Sequence, residues 1–168
     1  ILPLLTLPYL VRVLGAEQFG LLAFATAIIG YFIVVTDYGF NFTATREIAL
    51  FKDNKEKLIE IFSSVMTIKF ILLVISFFAL YVLTIFFDKF SADPILYFLT
   101  FGIVVGQVLF PVWFFQGVEQ MKYITIINII SKVGFALAIF ILVKQSSDYY
   151  LVPLLTSLGA IFDGLYSL

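Results

Sequence analysis

Residues 61–87 read IFSSVMTIKFILLVISFFALYVLTIFF, a run of 27 residues with a single charge, Lys69. An α-helix needs about 20 consecutive apolar residues to cross the hydrocarbon core of a bilayer. The run therefore predicts a membrane-spanning helix. Comparable runs predict an all-α, polytopic transmembrane bundle with about six spans, at approximately 1–11 (partial), 21–45, 61–87, 95–115, 123–143 and 149–168 (partial).

The composition excludes a soluble domain and several kinds of chemistry. The chain is 62% hydrophobic and 12% charged, whereas soluble domains are about half apolar and about a quarter charged. The net charge of -1 provides no positive field that would attract nucleic acid. The sequence contains neither Cys nor His, which removes disulfides, thiolate catalysis and imidazole metal sites. We therefore expect no enzyme activity, no metal and no cofactor.

Short polar segments separate the predicted spans. Residues 12–20 predict a turn between two glycines, and Asp37–Asn41 interrupts the second span, with Gly39 as a candidate kink. The most charged stretch, Arg46–Glu60, also contains apolar residues, and we expect it to lie along the membrane surface. The loops after the second and fourth spans hold five basic residues and the others hold three, which places Arg46–Glu60 in the cytoplasm.

Both ends of the sequence fall within apolar runs. Residues 1–11 are too short to cross a bilayer as a helix, and the run that begins at Tyr149 continues to Leu168. We therefore expect the chain to be a fragment of a longer membrane protein.

Four charged residues lie inside the predicted spans: Asp37, Lys69, Lys132 and Asp163. A charge at such depth is costly, so it normally faces a protein interior or a watery cavity, and it often marks a substrate or ion pathway. The two lysines lie about nine residues from the cytoplasmic end of their helices, roughly 13 Å at the helical rise. The two aspartates lie at a comparable depth, which predicts one polar layer within the bundle.

Helical spacing adds two amides to this layer. Asn41 follows Asp37 by four residues, and Asn128 precedes Lys132 by four, so each pair shares a helix face. A hydrophilic centre is one interpretation of this pattern. The alternative is that the charges pair within the bundle and fix helix register, with no ligand involved. Trp113 and Tyr123 are expected to be anchors at the membrane–water interface.

Three stretches of the sequence resemble a known family. They are LPYLVRVLGAEQFG at 7–20, DYGFN at 37–41 followed by ATREIA at 44–49, and FPVWFFQG at 110–117. Together they resemble the polysaccharide transporter family (O-antigen flippase, Wzx-like) of the MATE/MOP superfamily.

The resemblance implies a two-lobe transporter of the bacterial inner membrane, with residues 1–168 forming most of the N-terminal lobe. Its substrate would be an undecaprenyl-pyrophosphate-linked oligosaccharide, moved from the cytoplasmic to the periplasmic leaflet by ion-coupled alternating access. Its partners would be this substrate, membrane lipid, a coupling H⁺ or Na⁺ and a polysaccharide polymerase.

The polar residues then acquire expected roles. The substrate would be bound by basic and amide side chains: Lys69, Lys132, Arg46, Asn41 and Asn128. The two lysines would attract the pyrophosphate, and the arginine would lie at the cytoplasmic mouth of the cleft. The two acids would pair with the lysines in the empty state or carry the coupling ion: Asp37 and Asp163.

Three alternatives remain open. A multidrug or cation antiporter of the same superfamily is expected to line its cleft with acids, whereas lysine is at least as prominent here. A membrane enzyme of polysaccharide assembly, such as an O-antigen polymerase, is expected to carry a long outer loop, and the loops between these spans are short. A structural subunit without transport is disfavoured by the four intramembrane charges.

Overall fold

The computed structural model describes residues 2–167, and the side chains of all of these except residues 2–5 and Tyr123. The described part of the chain is all-α, as predicted. Its helices are α1 (Leu2–Asp37), α2 (Phe40–Leu50), α3 (Lys55–Phe86), α4 (Asp88–Ser91), α5 (Pro94–Leu109), α6 (Val112–Gly117), α7 (Met121–Leu142) and α8 (Leu151–Ser167), with a 3₁₀ segment at Ser146–Tyr150.

Four helical segments within the described residues are long and apolar enough to cross a membrane. They are Thr6–Leu50, Lys55–Phe86, Pro94–Gly117 and Ile124–Leu142. The first is 45 residues long, about twice the length that a bilayer requires, and it contains two interruptions.

The first interruption corrects a prediction. Only Gly15 (φ 81°, ψ 168°) departs from helical geometry in the stretch 12–20, so two helical parts of α1 meet at a kink of one residue where the sequence predicted a longer turn. Glycine has no Cβ and adopts positive φ at little cost, so one residue suffices for the kink. The residues on either side of Gly15 are helical.

The second interruption is the predicted kink at Gly39. Tyr38 (φ 44°) and Gly39 (φ 81°) both have positive φ, and they end α1 and start α2. The charged stretch Arg46–Glu60 contains the end of α2, the turn that follows it and the beginning of α3. Asn54 caps α3 by accepting a hydrogen bond from the Lys57 backbone N–H at 3.1 Å.

Helix α5 lies at the centre of the bundle, in contact with α1, α3 and α8. It approaches α8 very closely, because glycines face small residues there. A Cβ added to Gly106 would lie 2.2 Å from the Ala160 carbonyl carbon, and one added to Gly102 would lie 2.6 Å from the Ser157 Cβ. Such stripes of small residues allow membrane helices to pack backbone against backbone.

The apolar side chains form two separate cores. The large core contains buried residues of α1, α3, α5 and α7, among them Ile29, Leu80 and Val104. The small core lies at the end of the bundle that carries the α2–α3 turn, which we call the basic end. Its buried members come from α2, α3 and α6: Ala44, Ile48, Val65 and Trp113.

Trp113 is not an interface anchor, contrary to the sequence prediction. Its side chain is fully buried, because the chain turns at Phe110–Pro111 and brings the indole between α2 and α3, 5.6 Å from the ring of Phe62. The prediction for Tyr123 concerns a side chain outside those that the structure describes.

At the opposite end of the bundle, Asp93 links the start of α5 to the 3₁₀ segment. Its carboxylate accepts hydrogen bonds from the hydroxyls of Tyr149 and Tyr150, each at 2.9 Å, and it also caps the first turn of α5. Nearby, the Lys89 ammonium lies 4.0 Å above the ring of Phe24. These contacts join α1, α4, α5 and the 3₁₀ segment.

Candidate functional site

Two of the predicted intramembrane charges form an ion pair. The Lys69 Nζ lies 3.3 Å from the Asp37 Oδ1, and their side chains are 5% and 28% exposed. Lys69 is in the middle of α3 and Asp37 is the last residue of α1. A buried ammonium is costly without a partner, and the Asp37 carboxylate supplies one inside the bundle.

Asn41 extends this pair. Its Nδ2 donates a hydrogen bond to the Asp37 Oδ2 at 2.9 Å. The positive φ angles of Tyr38 and Gly39 interrupt the helix between Asp37 and Asn41, and the hydrogen bond crosses this break. Asp37 and Asn41, which were predicted to share one helix face, are therefore in direct contact.

The pair opens into a cavity of about 380 Å³ at the end of α1. Its walls come from α1, α2, α3 and α5, and its polar lining consists of Thr36, Asp37, Asn41, Lys69 and Gln107. Among the described residues that line it, Lys69 is the sole cation and Asp37 the sole anion. An incoming anion would therefore meet an ammonium whose present partner is a single carboxylate, and it could replace that partner.

The second pair of predicted charges lies between α7 and α8. The Asp163 carboxylate lies beside the Ser131 hydroxyl and within electrostatic reach of Lys132. Its Oδ1 is buried and has no hydrogen-bond partner within the described part of the chain. Lys132 is exposed and Asp163 is half-buried. This carboxylate could therefore accept one further hydrogen bond or a small cation.

The remaining predicted site residues stand apart from these contacts. Asn128 donates its side-chain N–H to the Ile124 carbonyl of its own helix at 2.9 Å. Arg46 is exposed on α2, beyond Asn41. Across residues 2–167, no hydrogen bond or ion pair joins the Asp37–Lys69 pair to the Asp163–Lys132 pair. The four charges therefore form one ion pair, Lys69–Asp37, and a looser association of Asp163 with Lys132 on other helices. A single polar layer stays a prediction.

Comparison with known proteins decides the family. The family described as "Polysaccharide biosynthesis protein" matches residues 1–168. The chain belongs to this family. Its membership of the polysaccharide biosynthesis family confirms the resemblance drawn from residues 7–20, 37–49 and 110–117, and together with the four apolar helices it identifies a multi-pass membrane protein.

Two curated relatives are similar over nearly the whole chain. A protein of Escherichia coli (strain K12) with the name "Putative O-antigen transporter" is 36% identical over 168 residues, which are 100% of this chain and 40% of that protein. A protein of the same name from Shigella dysenteriae is 30% identical over 166 residues, 99% of this chain and 41% of that protein. The chain thus spans about two fifths of the length of these relatives. No solved structure is significantly similar to it.

Two polar residues that line the cavity were not among the predicted site residues. Gln107 lines it from α5 and Thr36 from α1. Gln107 is the one amide in the apolar stretch 95–109, and this isolation within a span could have placed it among the candidates. Thr36 carried no such signal, because threonine in a membrane helix commonly bonds its own backbone, as Thr36 does to the Ile33 carbonyl.

Proposed function

We propose that the protein is a flippase that moves an undecaprenyl-pyrophosphate-linked oligosaccharide across the bacterial inner membrane. The observation that carries this proposal is the buried Lys69–Asp37 pair, which lines a cavity inside apolar helices. Membership of the polysaccharide biosynthesis family and similarity to two proteins named as O-antigen transporters support the class of substrate.

The substrate's chemistry explains why such a cavity is needed. Pyrophosphate and sugar hydroxyls cannot enter hydrocarbon without losing hydrogen bonds to water, at a cost of roughly 2–7 kcal/mol for each neutral polar group and more for each charge. A polar cleft replaces part of that hydration while the lipid tail stays in the bilayer. The pyrophosphate takes the place of Asp37 beside Lys69, and Asn41 donates to the same headgroup.

The other predicted residues extend the path. Lys132 and Asn128 provide a second cation and amide on α7, and Arg46 stands at the basic end, which the positive-inside rule assigns to the cytoplasm. The chain forms most of an N-terminal lobe, and a second lobe completes the cleft. The two lobes alternate between openings to the cytoplasm and the periplasm, and a polysaccharide polymerase receives the translocated product.

Ion coupling involves the two acids. Asp37 is released when the pyrophosphate engages Lys69, and Asp163 has a buried Oδ1 without a partner among the described residues. Either carboxylate can bind H⁺ or Na⁺ in one state of the cycle and release it in the other. A cation antiporter of the same superfamily is disfavoured, because the buried ammonium of Lys69 would repel a cationic drug in this cavity.

The test is complementation of a flippase-null strain by the full-length protein. A Lys69→Ala, Lys132→Ala double variant is expected to reach the membrane at normal levels, to restore no surface polysaccharide and to accumulate lipid-linked repeat units. Lys144→Ala removes an exposed lysine from the loop after α7 and is the matched control, with normal complementation expected. Full activity of the double variant would remove the lysines from substrate binding.

A further inference from the structure

The two apolar cores are joined at places where helices break. The path from α1 to α2 is interrupted at Tyr38–Gly39, where both residues have positive φ. The path from α5 to α6 is interrupted at Phe110–Pro111, because Pro111 has no backbone N–H with which to continue the helical ladder. Each break lies between an element of the large core and an element of the small core.

Helices α2 and α6 are packed against each other as one body, which we call the α2–α6 module (Phe40–Leu50 and Val112–Gly117). A Cβ added to Gly117 would lie 2.4 Å from the Ile48 Cγ2, so the two helices are in close contact. The Thr45 hydroxyl donates to the Trp113 carbonyl at 3.1 Å, and Trp113 is fully buried between α2 and α3. Close-packed interiors of this kind move as units, since they do not deform continuously.

Helix α3 crosses the boundary between the cores without a break. It contributes Val65 to the small core and Leu73 to the large one, and Lys69 lies halfway between them. Helix α3 packs against the module at one end and belongs to the large core at the other, so it keeps the module from separating from the large core. The movement that remains for the module is a tilt.

Asp37 connects α1, α3 and α2 at the boundary between the two cores. It is the last residue of α1, and its carboxylate contacts Lys69 of α3 at 3.3 Å and Asn41 of the module at 2.9 Å. The cavity that contains these groups also reaches Gly39 of the first break and Gln107, one turn before the second break. A ligand bound there touches both sides of the boundary.

We propose that the α2–α6 module tilts as a rigid body about Tyr38–Gly39 and Phe110–Pro111, and that the Lys69–Asp37–Asn41 contacts are the latch that holds it in the position described here. An anion that draws Lys69 away from Asp37 opens the latch, so occupancy of the cavity is coupled to movement of the basic end. The coupling to an anionic ligand rests on the proposed function, whereas the latch and the hinged movement do not.

Distance measurement between spin labels tests the hinge without any substrate. The chain has no cysteine, so introduced pairs can be labelled specifically in a full-length protein freed of any cysteines elsewhere. One pair crosses the boundary, from exposed Ala49 on α2 to exposed Ser91 on α4, and a control pair joins Ala49 to half-buried Gln116 on α6. Each pair is measured by pulsed electron paramagnetic resonance in the wild-type background, in Asp37→Asn and in Asn41→Ala.

The latch predicts that both variants shift or broaden the Ala49–Ser91 distance distribution and leave the Ala49–Gln116 distribution unchanged. Asn41 is exposed, so Asn41→Ala keeps the test valid if Asp37→Asn does not fold. An unchanged Ala49–Ser91 distribution in the folded variants would overturn the latch, and equal changes in both pairs would overturn the rigid module. Neither result depends on transport, so a failure here is distinct from a failure of the flippase assay.

Discussion

Lys69 carries a charge in the interior of the bundle with one carboxylate beside it, and the two partners are not equally buried. The Lys69 side chain is 5% exposed, whereas the Asp37 side chain is 28% exposed and keeps Asn41 as a second partner. Loss of Asp37 therefore leaves a buried ammonium unpaired, while loss of Lys69 leaves a carboxylate that still has a donor and some access to solvent.

This asymmetry predicts the outcome of a double-mutant cycle. Asp37→Asn is expected to destabilise the protein by about 1–3 kcal/mol, the cost of an unsatisfied buried group, and Lys69→Met by less. The Asp37→Asn, Lys69→Met double variant is expected to be more stable than the sum of the single effects by at least about 0.5 kcal/mol. Thermal unfolding of the full-length protein in detergent measures the four members of the cycle. Strictly additive effects would contradict a direct interaction.

A second prediction for a single residue concerns Asp163 and ion coupling. Asp163→Asn removes the charge of a carboxylate with a partnerless buried Oδ1, so transport by this variant is expected to become independent of an imposed H⁺ or Na⁺ gradient. Transport into inverted membrane vesicles, with and without each gradient, measures this dependence. Asp53→Asn, in the exposed α2–α3 turn, is the control and should keep the wild-type response. A variant that responds to gradients like the wild type would exclude Asp163 from coupling.

Among the described helices, α5 and α8 pack against each other more extensively than any other pair. Gly106→Ala places a Cβ 2.2 Å from the Ala160 carbonyl carbon, which only a backbone shift can relieve, so a loss of about 1–3 kcal/mol is expected. Gly134→Ala on α7 meets nothing within 4 Å and should leave the unfolding temperature unchanged or raise it slightly. Equal unfolding temperatures for the two variants would show that the helices do not pack as described.

Some features of the helices could be predicted from the sequence and others could not. Long apolar runs predicted helices because an α-helix satisfies its backbone hydrogen bonds within a single segment in hydrocarbon, and Asp-Tyr-Gly at 37–39 predicted the kink that the structure contains. The turn expected at 12–20 is confined to a kink at Gly15, because a single glycine at positive φ interrupts the helix there. The buried position of Trp113 depends on packing between distant helices, and residue patterns within one span carry no information about it.

For the whole molecule, the candidate site could be predicted in its residue types and only partly in its arrangement. A charged residue in an apolar run is rare enough to be a candidate by itself, so Asp37, Lys69, Lys132 and Asp163 could be selected from the sequence, although Lys132 is exposed in the structure. Their pairing depends on which helices are neighbours. It joins Asp37 to Lys69 across 32 positions of the chain and sets Asp163 beside Ser131 and Lys132 on a separate helix pair.

In the proposed flippase, Lys69 in the cavity beside Asp37 contacts the pyrophosphate of a lipid-linked oligosaccharide during its transfer between leaflets. The most direct measurement is the rate at which the full-length protein, reconstituted in liposomes, moves a fluorescent undecaprenyl-pyrophosphate-linked oligosaccharide between leaflets. We expect Lys69→Ala to lower this rate at least about tenfold, the equivalent of about 1.4 kcal/mol, and Lys144→Ala to leave it unchanged. Equal rates for wild type and Lys69→Ala would show that Lys69 does not contact the pyrophosphate.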